Sequence, residues 1–169
     1  MTRSALHVLI LCTGNSARSL IAEGILRQHA ASGFVAHSAG SNPTGQPNPH
    51  AIDILRAHDI DTGFAESKSW DRFAGPDAQP MDLIITVCDN AAGETCPIWP
   101  GNPHNAHWGV ADPAAIDGDD DAIAAAFAIT FGQMTRRIEA LVAARPDRDN
   151  LAVIARQIGT DMAQAEAGI

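Results

Sequence analysis

Apolar and polar residues follow one another along this chain in blocks that predict alternating strands and helices. Leu6-His7-Val8-Leu9-Ile10-Leu11 is a nearly unbroken apolar run ending at Cys12, the pattern of a strand buried on both faces. A short polar turn follows, Thr13-Gly14-Asn15-Ser16-Ala17. Beyond it Ile21, Ala22, Ile25 and Leu26 recur at helical spacing, which predicts a helix starting near Arg18 and Ser19 and running to about Ala31. Phe34 to Ala39 reads as a second strand. The segment from Gly40 to Pro49 is rich in Gly, Pro and Asn, so it reads as a loop, with Pro49 placed to open a helix through Ile52, Leu55 and Arg56. Asp82 to Val87 is apolar enough for a third buried strand, and Ala106 to Val110 for a short fourth. A long helix is expected from about Asp120 to Ala144, acidic at its start and with Arg136, Arg137 and Arg145 near its end, matching the dipole. Residues 147 to 169 predict one further, weaker helix with a frayed end.

Alternating strands and helices with parallel-type strands imply right-handed crossovers. The expected fold is therefore α/β: a single-domain, doubly wound, four-stranded parallel sheet with helices on both faces. At 169 residues, 46% of them hydrophobic and 18% charged, the chain can bury a core without disulfides. A net charge of −9 argues against nucleic acid or an anionic membrane as partner. Attraction for an anionic substrate must then be local. Arg3 before the first apolar run imitates a signal peptide, but the run is only about seven residues and no small-residue cleavage site follows. No stretch approaches the roughly 18 apolar residues of a membrane span, and a cytoplasmic location is expected. Three cysteines, an odd count in a reducing compartment, point to redox chemistry or metal binding rather than a structural framework.

The candidate chemistry starts at Cys12. A strand, a tight loop and a helix in succession aim backbone N–H groups and a helix N-terminus at one point. A cysteine at the rim of that nest is favoured as a thiolate, and Arg18 offers a planar fork suited to a tetrahedral oxyanion. Taken alone, the Cys-x5-Arg spacing favours a buried structural cysteine. Its place between strand and helix, with Gly14 and Ser19 in support, favours an oxyanion loop with Cys12 as nucleophile. In such sheets the active site lies at the carboxyl ends of the strands, which brings Cys12, Cys88 and Asp112 to one edge. Cys88 and Cys96 flank a polar segment, residues 89–95, that reads as a mobile loop or a marginal helix. Cys88 could be a buried hydrophobe, or Cys88 and Cys96 could join His104 and His107 around zinc, although the spacing is unlike that of structural zinc ligands. As a functional pair they would relay thiol–disulfide exchange from Cys12. Asp112-Pro113 could be a plain turn, or Asp112 could protonate a leaving oxygen.

These stretches resemble the arsenate reductases of the low-molecular-weight protein-tyrosine-phosphatase superfamily, in the branch coupled to thioredoxin. The resemblance rests on residues 12–19, Ala22-Glu23-Gly24, Ser38-Ala39-Gly40, Val87-Cys88 through Cys96-Pro97, and His107-Trp108-Gly109-Val110-Ala111-Asp112-Pro113. It implies a catalytic domain over residues 1–145 and leaves 146–169 as a C-terminal extension without a role. It implies Cys12 as nucleophile, the backbone of Thr13, Gly14, Asn15, Ser16, Ala17 and Arg18 as oxyanion cradle, and Arg18 as its clamp. Asn15 then shapes the loop, Ser19 hydrogen-bonds the thiolate, Asp112 is the general acid, and Cys88 and Cys96 form the relay. The implied substrate is arsenate and the implied reductant thioredoxin or another thiol, with no cofactor. Ala17 stands where many relatives carry a nonessential cysteine. An acidic ligand for a monovalent cation is missing near Trp70, so neither that ion nor any metal is expected. The alternative activity is a tyrosine phosphatase working through a Cys12 phosphoenzyme. That reading has no use for Cys88 and Cys96, and it expects tyrosines beside the acid, whereas this chain has none.

Overall fold

In the computed structural model, which describes residues 4–93, 97 and 99–168, the first apolar run forms β1 (Leu6–Cys12). Helix α1 (Arg18–Arg27) follows, then β2 (Phe34–Gly40) and α2 (Pro49–Ala57), capped by the Asn48 side chain on the His50 amide. Next come β3 (Leu83–Thr86), the short helix α3 (Asp89–Gly93), β4 (His104–His107), α4 (Asp120–Ala144) and α5 (Leu151–Ala167). All strands pair in parallel, in the order β2-β1-β3-β4. Successive connections run outward from the centre in opposite directions, so the sheet reverses its winding between β1 and β3. The crevice beyond their carboxyl ends is where a ligand fits in such sheets. Leu11 stands level with Thr86, and the Val87 amide bonds the Leu11 carbonyl. The chain thus leaves both strands side by side, at Cys12 and at Cys88.

Side chains of β1 divide by parity, as strand geometry requires. Val8, Ile10 and Cys12 face α1, α4 and α5 in the main core, with Ile21, Leu26, Phe127, Met134, Ile138 and Trp108. Leu9 and Leu11 face a smaller cluster with Ile84, Met81 and Trp99. That second face is covered thinly, by a 3-10 turn at Trp70–Phe73 rather than by a long helix. Full burial of an aliphatic side chain here stabilises by roughly 1.5–3 kcal/mol, which is why these runs were the most legible elements.

Three elements differ from expectation, the first being α1, which ends at Arg27 rather than near Ala31 and is followed by a separate 3-10 turn at Ala30–Ser32. The fourth strand lies earlier, at His104–His107, with only Ala106 buried. An exposed edge strand carries little apolar pattern, and the Trp108 that seemed part of it turns its indole N–H to the Ala155 carbonyl of α5 (2.8 Å). The final helix is also firmly docked. Arg137, read as a dipole match at the end of α4, is fully buried and grips Glu166 of α5 through both terminal nitrogens, at 2.6 and 2.8 Å. No helix among the described residues is long and apolar enough to cross a membrane.

Candidate active site

The loop after Cys12 is held open from outside. The carbonyls of Thr13, Gly14 and Ser16 accept hydrogen bonds from the amides of Asn42, Thr44 and Asn48, at 2.8–3.1 Å, and Ser67 also donates to Gly14. In a planar trans peptide the N–H points opposite to the C=O, so the amides of Gly14, Asn15 and Ala17 turn inward. The Asn15 amide donates to the Cys12 sulfur. Ala17 gives α1 no side-chain cap, which leaves the helix start open to an anion. Gly40 lets the loop pack this close, since a Cβ there would stand 2.4 Å from the Thr13 carbonyl oxygen.

Asn15 is the pivot. It holds a left-handed φ of 45°, fully buried, and its side chain uses both ends. Its amide donates to Ser19 (2.8 Å) and Ser38 (3.0 Å), and its carbonyl accepts the Lys68 amide (2.9 Å). Beneath it Ser38 donates to Glu23 (2.7 Å). The Lys68 ammonium fills the space between Ser38, the Glu66 carbonyl and the Glu23 carboxylate, 4.0 Å from the latter. Burial pushes Glu23 up and Lys68 down from their ordinary ranges, while each charge pulls the other back. Sequence reading placed no role on Glu23, Ser38 or Lys68. Glu23 and Ser38 lay in stretches matched to relatives, but Lys68, between two serines in a polar segment, carried no signal.

Arg18 reaches across the loop mouth. One terminal nitrogen donates to the Val110 carbonyl (3.1 Å) and the other lies 3.6 Å from the Asp112 carboxylate. Asp112 also caps the turn at Pro113–Ala115 through the Ala114 amide. The clamp and the carboxyl group are therefore tied to one segment, residues 107–112.

Cys88 completes the mouth. It accepts from the Ala91 amide (3.4 Å), lies 3.6 Å from the Thr13 hydroxyl, and is hydrogen-bonded to Cys12. That bond dominates the ionisation of both sulfurs, so one proton serves the pair. Cys88 is pulled down to about 5 by the Cys12 hydrogen bond, aided by the Ala91 amide and Thr13 against its burial. Cys12 is held well above the ordinary thiol range by the same bond, by burial and by the Cys88 charge, against Arg18 and the Asn15 amide. Below about pH 5 the pair gains its second proton, and the thiolate is lost. Cys12→Ala should accordingly raise the ionisation midpoint of Cys88 from about 5 toward the ordinary thiol value. The pH dependence of Cys88 alkylation in a Cys96→Ser background measures it, and a midpoint that stays low would show that the Cys12 hydrogen bond is not the cause.

Cys96 lies outside the described residues. Among the described residues, no group of His, Cys, Asp and Glu is placed to hold a metal ion. His104 lies at the start of β4, and His107 bonds Thr86 (2.7 Å) and Asp89 (3.0 Å).

A strand–loop–helix cradle with a buried cysteine and an arginine clamp, at the winding reversal of a parallel sheet, defines an oxyanion-handling cysteine protein. The chain belongs to the low molecular weight phosphotyrosine protein phosphatase family, whose profile matches residues 7–151. It is 34% identical over 132 residues to an arsenate reductase of Halalkalibacterium halodurans, covering 78% of this chain and 91% of that one. A solved arsenate reductase in its intermediate state aligns with a TM-score of 0.63 at 27% identity, over 82% of this chain and 98% of that one. A thioredoxin-dependent arsenate reductase of Corynebacterium glutamicum shares the fold with a TM-score of 0.60 at 24% identity, over 86% of this chain and 64% of that one.

Proposed function

We propose that this protein is an arsenate reductase in which Cys12 attacks arsenic and Cys88 draws off the oxidation. The observation that carries the reading is the second cysteine at the loop mouth: β3 ends beside β1, which sets Cys88 next to Cys12, its sulfur 3.6 Å from the Thr13 hydroxyl. A phosphatase needs no second thiol against its nucleophile. Arsenate enters the cradle, held by the inward amides and Arg18. As Cys12 attacks, its proton passes to Cys88, an As–S bond forms, and one arsenic hydroxyl leaves as water with a proton from Asp112. Cys88 then attacks the Cys12 sulfur. The S–S bond forms as the As–S bond breaks, and the bonding pair remains on arsenic, which leaves as arsenite with the Cys88 proton. Two thiols have lost two electrons and arsenic has gained them. Cys96 next displaces Cys12, and a Cys88–Cys96 disulfide passes to an external thiol reductant. Thioredoxin is the reductant we favour, supported by the thioredoxin-dependent relative of the same fold. Arsenic detoxification in the cytoplasm is the matching physiological role.

The test is arsenate-dependent oxidation of thioredoxin, with aryl phosphate hydrolysis measured alongside. Arsenite formation with matching loss of thioredoxin thiols supports the reading. Hydrolysis without arsenate-dependent oxidation would assign the site to phosphoester chemistry instead.

A further inference from the structure

Helix α5, after its first residue, lies beyond the part of the chain that the family profile matches. It touches the segment that carries Asp112 and holds Arg18. The Trp108 indole donates to the Ala155 carbonyl, and Arg156 donates to the Asn105 carbonyl (2.7 Å). Gly159 lies directly against the backbone of His107: a Cβ there would stand 2.4 Å from the His107 carbonyl oxygen and 3.0 Å from the Trp108 ring. Glycine in the body of a helix is a poor choice for the helix itself. Here it permits an approach that no side chain allows.

From residue 109 onward the segment has thinner support. Its outer side borders a cleft of about 540 Å³ lined by Asp89, His107, the stretch 109–111 and α5 itself. The Val110 amide bonds the Val87 carbonyl at a long 3.3 Å, and Arg18 holds the Val110 carbonyl. The start of the segment is fixed by β4 and α5, and its end places Asp112 over the loop.

We propose that α5 positions the acid segment, with Gly159 and Trp108 as the positioning residues that set where Asp112 stands relative to bound arsenate. This inference rests on the reading of Asp112 as the general acid. The oxyanion loop and its amides are braced separately, by residues 42–48 and by Asn15. Arg18 shares the acid segment through the Val110 carbonyl, so a disturbance of α5 should slow chemistry more than it weakens arsenate binding.

The experiment follows the first turnover of fully reduced, full-length protein, without external reductant, over a range of arsenate concentrations. Gly159→Ala improves intrinsic helix propensity, so a loss of rate cannot come from a weaker helix. Misplacing a reacting group by about 1 Å costs on the order of 100-fold. Gly159→Ala should slow arsenite release by at least about ten-fold, with the half-saturating arsenate concentration changing by a clearly smaller factor. In an Asp112→Asn background the same change should cost far less, because the acid it positions is gone. Trp108→Phe, which keeps the ring bulk and loses the N–H donor, should show the same pattern more weakly, and it carries the test if circular dichroism shows Gly159→Ala unfolded. An unchanged rate in these variants, or an equal further loss in the Asp112→Asn background, would overturn the proposal. Should Asp112→Asn itself turn over at the wild-type rate, the acid reading fails first and takes this inference with it.

Discussion

Cys12→Ser is expected to abolish arsenate reduction and any phosphoester hydrolysis together, by at least about three orders of magnitude. The inward amides and Arg18 can support a sulfur anion, because a thiol ionises within their reach. They cannot bring a serine hydroxyl, which is far less acidic, to the same state. The first chemical step thus loses its nucleophile, and the second loses the sulfur that Cys88 must attack. The oxyanion cradle should survive, since its carbonyls are anchored by Asn42, Thr44 and Asn48 and the substitution is nearly isosteric. Phosphate binding measured by calorimetry should remain close to wild type while arsenite release and aryl phosphate hydrolysis disappear. Arsenate turnover near the wild-type rate in this variant would remove Cys12 from the mechanism.

Much of the scaffold behind that prediction was legible in the sequence. β1 and β3 are buried on the sheet's faces, so nearly every residue is apolar and the run itself marks the strand. α4 was legible at its start, because Asp119 caps it and acidic residues fill its first turn. The sequence also brought Cys12, Cys88 and Asp112 to one edge through the winding rule alone. The rest depended on contacts between residues far apart in the chain. β4 is an edge strand with one buried residue, and an edge leaves almost no hydrophobic pattern. α5 looked weak because much of what docks it is polar: a buried Arg137 gripping Glu166 and a tryptophan N–H on a carbonyl, beside the small apolar contacts of Leu151, Ala152 and Ala155. Neither bond has a local signature. Lys68 escaped for the same reason, since its partners come from α1 and β2 and nothing in Ser67-Lys68-Ser69 shows that its ammonium is buried. Sequence reading recovered the residues whose chemistry is intrinsic. It missed those whose importance comes from the company they keep.

The second large effect separates reduction from hydrolysis within one pocket. Cys88→Ser keeps a hydroxyl that can still bond Cys12 and Thr13, so the loop should hold its shape and Cys12 its place. What it removes is the thiolate that attacks the Cys12 sulfur. Arsenate can still form the As–S bond, but that adduct can then only be reversed by water, returning arsenate with no transfer of electrons. The variant should release less than about one arsenite per enzyme however much reductant is supplied, since no disulfide can form with the bound intermediate. Aryl phosphate hydrolysis, where the wild type shows it, should continue through Cys12, Arg18 and Asp112. Oxygen exchange between labelled water and arsenate would reveal the futile cycle directly, because each reversal exchanges one arsenic oxygen with solvent. Sustained arsenite production by Cys88→Ser would mean that another thiol, Cys96 or the external reductant, resolves the Cys12 adduct without it. The sulfur–sulfur contact at the mouth of the loop would then be a device for ionisation alone.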